Sequence, residues 1–117
     1  MQGRKAFTPK LFTDFRLDEF IPDDNLYKIL AAKLDLNFIY RRTDYLYSHT
    51  GKPSLDPVVF FKCMLIGNLE NICSDRALER HISMRLDLRY SIGYDVDQPT
   101  PDHSTFCKTR KRIPLEI

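Results

Sequence analysis

Cysteine is scarce and odd in number: Cys63, Cys73 and Cys107 are the three in 117 residues. Their spacing gives no disulfide framework, which excludes a small secreted scaffold held by such bonds, and they read as reduced thiols. Long hydrophobic runs are also missing. The longest apolar stretch, Val58 to Leu69, is interrupted by Lys62, Gly67 and Asn68. A bilayer-crossing helix needs about 20 apolar residues, so a membrane-spanning role is excluded. The opening Met1-Gln-Gly-Arg-Lys-Ala6 has no apolar core or cleavage site behind it, so no signal peptide is read. These absences predict a soluble, cytoplasmic protein. An excess of one charge is missing too: 18 Lys plus Arg stand against 16 Asp plus Glu, a net charge of +2. That balance neither demands nor excludes nucleic acid, so the placement of the charges decides. No internal repeat, low-complexity run or defensible strand pair is present.

What the chain does hold is a series of helix signals. A hydrophobic fraction of 43% with 12% aromatics suits one domain with a modest core. Residues 1–20 show no clear period and are read as irregular. Pro22-Asp23-Asp24 opens a helix to about Leu34, with Leu26, Ile29, Leu30 and Leu34 as its inner row and Phe38 and Ile39 packing after it. A break follows through Tyr45-Leu-Tyr47 and the turn residues Gly51 and Pro53. Asp56 then caps a helix with Pro57 at its first position, running to about Asn71 and apolar on most sides, hence central. Ser74, with Asp75, caps a third helix to about Arg85, with Leu78, Ile82 and Leu86 inside and Arg76, Glu79, Arg80 and Ser83 outside. Leu88 to Ile92 adds a short helical turn closed by Gly93, and a polar loop leads to Thr100. The last helix starts at Thr100 or Asp102 and ends by Pro114. The fold class is all-α, a small bundle of four to five short helices over residues 21–113, with 114–117 as a tail.

Asp102-His103-Ser104 invites comparison with a hydrolytic triad. Neighbours on a helix point about 100° apart, however, and cannot form a Ser-to-His-to-Asp relay among themselves. Asp102 as a helix cap explains the same residues without a ligand. Beyond it, Phe106, Arg110 or Thr109, and Ile113 form an inward row. Ser104, Lys108, Lys111 and Arg112 share the outer face, and no acid interrupts from His103 to Arg112. Such a face, at a helix start, suits phosphate contact. His103 and Cys107, four apart on one helix face, could join Cys73 and His81 around a zinc ion, but there is no CxxC or HxxxH pair. Cys63 and Cys73 sit among apolar residues as buried thiols do, and His81 reads as a core-edge histidine, so no metal is expected.

Several pieces occur in a fixed order: Gly51-Lys-Pro-Ser-Leu-Asp-Pro57, an apolar helix with Phe61-Lys62, Ser74-Asp-Arg-Ala-Leu-Glu-Arg80, Pro101-Asp-His-Ser-Thr-Phe106 and Arg110-Lys-Arg112. Together they resemble the N-terminal (InsH-like) domain of bacterial insertion-sequence transposases of the DDE type. Ile21-Pro-Asp-Asp24 and Leu34-Asp-Leu-Asn-Phe-Ile39 fit that family's opening helix. The resemblance implies a helix-turn-helix-like module that binds the terminal inverted repeats of a mobile element, with double-stranded DNA as partner. In such transposases cleavage and strand transfer belong to a separate RNase H-like domain, whose three carboxylates bind two Mg²⁺ ions. No strand-rich segment here matches that domain. The chain is therefore expected to be a truncated transposase or a natural short product of one, without enzyme activity or cofactor of its own. The DNA-binding candidates are Arg76, Arg80, Lys108, Arg110, Lys111 and Arg112, with Ser104 and Thr105 adding hydrogen bonds. The alternative is a protein-interaction module, forming a homodimer or meeting the missing catalytic domain through Tyr40, Tyr45, Tyr47 and Phe60.

Overall fold

Side chains that answer free backbone amides set most helix starts in this chain. The computed structural model describes residues 2–12, 14, 16–46 and 55–113. Among them every regular element is helical: α1 Leu17–Phe20, α2 Leu26–Lys33, α3 Phe38–Thr43 running into a 3₁₀ turn Asp44–Leu46, α4 Pro57–Leu69, α5 Asp75–Met84, α6 Leu86–Ile92 and α7 His103–Arg112. Seven helices replace the four to five expected, because α1 and α3 are too short to show a period in sequence. The expected turn at Gly51 and Pro53, Tyr47 and the Pro114 stop lie outside the described residues.

The caps are concrete. Asp56 accepts from the Val58 amide, Ser74 from Ala77, and Asp102 from Thr105. The first helical pair corrects the sequence reading: Asn25, not Asp23 or Asp24, caps α2 by accepting from the Tyr27 and Lys28 amides. Asp23 instead pairs with Lys28 at 2.9 Å. Helix α4 ends two residues earlier than expected because Asn71 takes a left-handed backbone, φ 58°, a conformation Asn tolerates better than most residues. Gly93 closes α6 at φ 82°, where glycine carries no Cβ penalty.

Helix α4 is the centre of the bundle. Phe60, Cys63 and Ile66 from it meet Leu78 and Ile82 of α5, Leu88 and Ile92 of α6, and Phe106 of α7. Helix α2 packs on α6, and α5 packs on both α6 and α7. Burial pushes the Cys63 thiol up to about 12, so it behaves as a small apolar side chain rather than a thiolate. Cys73 and His81 are both exposed, contrary to the sequence reading. His81 satisfies its Nδ1 on the Ala77 carbonyl at 2.9 Å, a bond within its own helix that needs no core. Leu86 is half-buried and belongs to α6, since the chain turns at Arg85.

Helix α2 faces the other way from its apolar row. Leu26, Ile29 and Leu34 are exposed, and Tyr27 is the buried residue. The Tyr27 ring enters the core while its hydroxyl donates to Glu70 Oε1 at 2.6 Å, an arrangement open to tyrosine and not to leucine. Glu70 also accepts from Arg85 Nη1 at 2.8 Å, and Arg85 Nη2 pairs with Asp87 at 2.8 Å. Asn25 donates to the same Asp87 carboxylate at 3.1 Å, and the Arg85 guanidinium lies 5.7 Å from the Tyr27 ring centre. One network thus joins α2, the end of α4 and the α5–α6 junction. A second clamp is Arg89, which donates to the Ser83, Asp95 and Gln98 carbonyls at 2.9, 2.7 and 2.7 Å. It ties the loop before α7 to the end of α5.

The network fixes a pH dependence. The Tyr27 hydroxyl, then Arg85, hold Glu70 below its ordinary value despite burial that opposes them. Burial pushes Asp87 up, but Arg85 and Asn25 outweigh it and leave it lowered. Asp75 is lowered chiefly by its bond to Arg110. Carboxylates with depressed folded values stabilise fully above their unfolded values of about 4 and lose that contribution as pH falls through the folded ones. The urea midpoint is therefore expected to stay level from about pH 7 to 5 and to drop below about pH 4. A midpoint that rose on acidification would contradict this network.

Candidate nucleic-acid interface

The contact between α5 and α7 builds the site. Phe106, fully buried, and Thr109 anchor α7 inward. Thr109 rather than Arg110 takes the inner position because its hydroxyl is satisfied on the Thr105 carbonyl at 2.8 Å. Arg110 stays half-exposed and grips Asp75 with two bonds of 2.8 and 2.9 Å. From the other side, Glu79 of α5 accepts from the His103 amide at 3.1 Å, placing a carboxylate at the positive end of α7. These two cross-links set the angle of α7 against α5.

They leave a shallow groove between the start of α5 and the outer side of α7. Ser74, Asp75 and Arg76 line one wall, and His103, Ser104, Cys107, Lys108 and Lys111 the other. Of the eight residues singled out in the sequence, the fold brings together Arg76, Ser104, Lys108 and Lys111. Arg80 is exposed one turn further along α5, and Arg112 is exposed at the end of α7. Thr105 is drawn into the cap: its amide and hydroxyl both donate to Asp102, at 2.8 and 2.7 Å. Ser104 Oγ adds a third bond to the same oxygen at 2.9 Å. The Thr105 hydroxyl, its amide and Ser104 together draw the Asp102 carboxyl down to about 2.

The electrostatics of the groove follow from this pairing. Arg110 balances Asp75, and Glu79 faces His103 Nδ1 at 3.5 Å. Arg76, Lys108 and Lys111 take part in no ion pair among the described residues. Both helices begin beside the groove, with Ser74 capping α5 and Asp102 and Glu79 answering first-turn amides of α7. The hydrolytic arrangement is not formed, since Ser104 Oγ turns to Asp102 and the His103 ring to Glu79. Among the described residues no group of three or more His, Cys, Asp or Glu side chains gathers to hold a metal ion. None of their helices is long and apolar enough to cross a membrane.

Glu79 and Cys107 were not singled out by the DNA-binding reading of the sequence. Glu79 sits 24 residues from the amide it accepts from, and nothing local in the sequence marks such a pair. The aromatic patch expected around Tyr40 needs correction: Phe60 is only 4% exposed and belongs to the core. It shares the inward face of α4 with Cys63 and Gly67, three and seven residues further along the helix. Tyr40 and Tyr45 do remain exposed, and Phe38, expected to pack after α2 with Ile39, is exposed as well while Ile39 is buried; the Tyr40 hydroxyl donates to Asp56 at 2.7 Å.

Neither the curated proteins nor the solved structures compared with the chain give a match. A family model described as a transposase domain (DUF772) matches residues 15–112, which span α1 through α7. That range agrees with the resemblance to the N-terminal region of insertion-sequence transposases, and the chain belongs to this transposase domain family.

Proposed function

We propose that this transposase domain binds double-stranded DNA at the terminal inverted repeats of its element, with the α5–α7 groove on the phosphates. The observation that carries the reading is the convergence of Arg76, Lys108 and Lys111, without ion-pair partners among the described residues, on a groove where two helices start. Helices α5 and α7 act as a helix-turn-helix-like pair. Arg80 and Arg112 flank the groove, Ser104 and Thr105 stand at the start of α7, and Arg110 orients α7 through Asp75. Phosphate contacts supply affinity, and base-edge contacts by arginine supply sequence preference. Strand cleavage is left to a separate catalytic domain.

The test is the variant Arg76→Ala/Lys108→Ala/Lys111→Ala on a duplex of the inverted repeat. Surface substitutions of this kind alter stability by about 0.5 kcal/mol or less each, so the fold is retained. The slope of log affinity against log salt is expected to shrink by about 1 for each phosphate contact removed. Affinity at low salt is expected to fall on the order of tenfold or more. Unchanged affinity and slope would reject this face. A second reading, contact with another copy or with the catalytic domain, draws on the exposed Phe38, Tyr40 and Tyr45. A DNA-free dimer on size exclusion, without salt-sensitive DNA affinity, would favour it.

A further inference from the structure

Residues 2–12 stand apart from the helical body, and all of them are exposed. Phe7, Leu11 and Phe12 are 84%, 89% and 86% exposed, so none of them serves the core. Lys5 and Lys10 flank a shallow concavity lined by residues of this segment alone. Arg4, Lys5 and Lys10 form no ion pair among the described residues.

The distribution of charge gives this arm its meaning. Residues 1–12 hold three cations and no acid, a charge of +3. Residues 13–117 hold the other 15 Lys plus Arg against 16 Asp plus Glu, a net charge of −1. The whole positive excess of the chain therefore lies in the arm. A body of net −1 gains nothing from a polyanion at long range, and its cationic groove acts only within a Debye length of about 8 Å. We propose that residues 2–12 are a second DNA contact, laid along the duplex backbone and supplying much of the sequence-independent affinity. Exposed apolar side chains on such an arm, here Phe7 and Phe12, suit insertion into a minor groove. The inference rests on the DNA-binding reading of the domain.

The test is the full chain carrying Arg4→Ser/Lys5→Ser/Lys10→Ser, measured on the inverted repeat and on a scrambled duplex beside the groove variant. None of the three residues touches the core, so the variant is expected to fold. Its affinity is expected to fall by the same factor on both duplexes, since phosphate contacts carry no sequence information. The expected drop is on the order of tenfold at low salt, with the salt slope smaller by about 3. An arm variant that binds as the unchanged chain does, while the groove variant loses affinity, would overturn the arm contact and leave the groove standing. The reverse pattern would support the arm and reject the groove. Absence of binding by the unchanged chain to either duplex would overturn both.

Discussion

Replacing Phe106 with alanine is expected to lower the stability of the domain by about 3–5 kcal/mol. The ring is fully buried in the core cluster, where α7 packs on α5. Its removal takes away the apolar area that holds α7 on the bundle and leaves a cavity that rigid neighbours fill only in part. Domains of this size are stable by about 5–15 kcal/mol in total, so the loss is a large share of the whole. Chemical denaturation followed by circular dichroism measures it. Lys108→Ala, on the exposed side of the same helix, is expected to stay within about 0.5 kcal/mol of the unchanged chain. Equal effects of the two substitutions would mean that α7 does not pack through Phe106.

Arg85→Ala carries the second large effect. Arg85 joins Glu70 and Asp87 across 15 and 2 residues of sequence. Asp87 retains Asn25 as a partner and Glu70 retains Tyr27, so the carboxylates are not wholly abandoned. The guanidinium is also 37% exposed, which lets water soften the loss. The expected cost is about 2 kcal/mol, smaller than that of breaking a fully buried pair. The acid sensitivity is expected to weaken with it, because Glu70 and Asp87 then lose a cause of their depressed values. A variant with the stability and acid profile of the unchanged chain would show that the network is ornamental.

The local features of this fold can be read from sequence because their causes are local. Asp56 before Pro57, Ser74 three residues before Ala77, and Gly93 after Ile92 each act within a turn. The apolar circumference of α4 likewise announces a central helix. The facing of α2 cannot be read that way. Four leucine and isoleucine residues at helical spacing outvote one tyrosine in sequence, yet Tyr27 has partners in Glu70, just past the end of α4, and Arg85, at the α5–α6 junction. The same limit applies to the groove. The basic outer face of α7 is visible as a spacing, but Arg76 joins it only through the packing of α5, which depends on Asp75–Arg110 and Glu79–His103. Pairs separated by 24 and 35 residues leave no local trace. That pairing also sets Arg110 apart from Arg76, Lys108 and Lys111, which a count of charges along the sequence treats alike.

The central claim is that this transposase domain recognises DNA, and fluorescence anisotropy of the unchanged chain tests it most directly. A duplex of the element's terminal inverted repeat and a scrambled duplex of equal length would be titrated across a salt series. Tighter binding to the repeat is expected, with affinity for both duplexes falling steeply as salt rises. No binding to either duplex at low salt, or equal salt-independent binding to both, would contradict it.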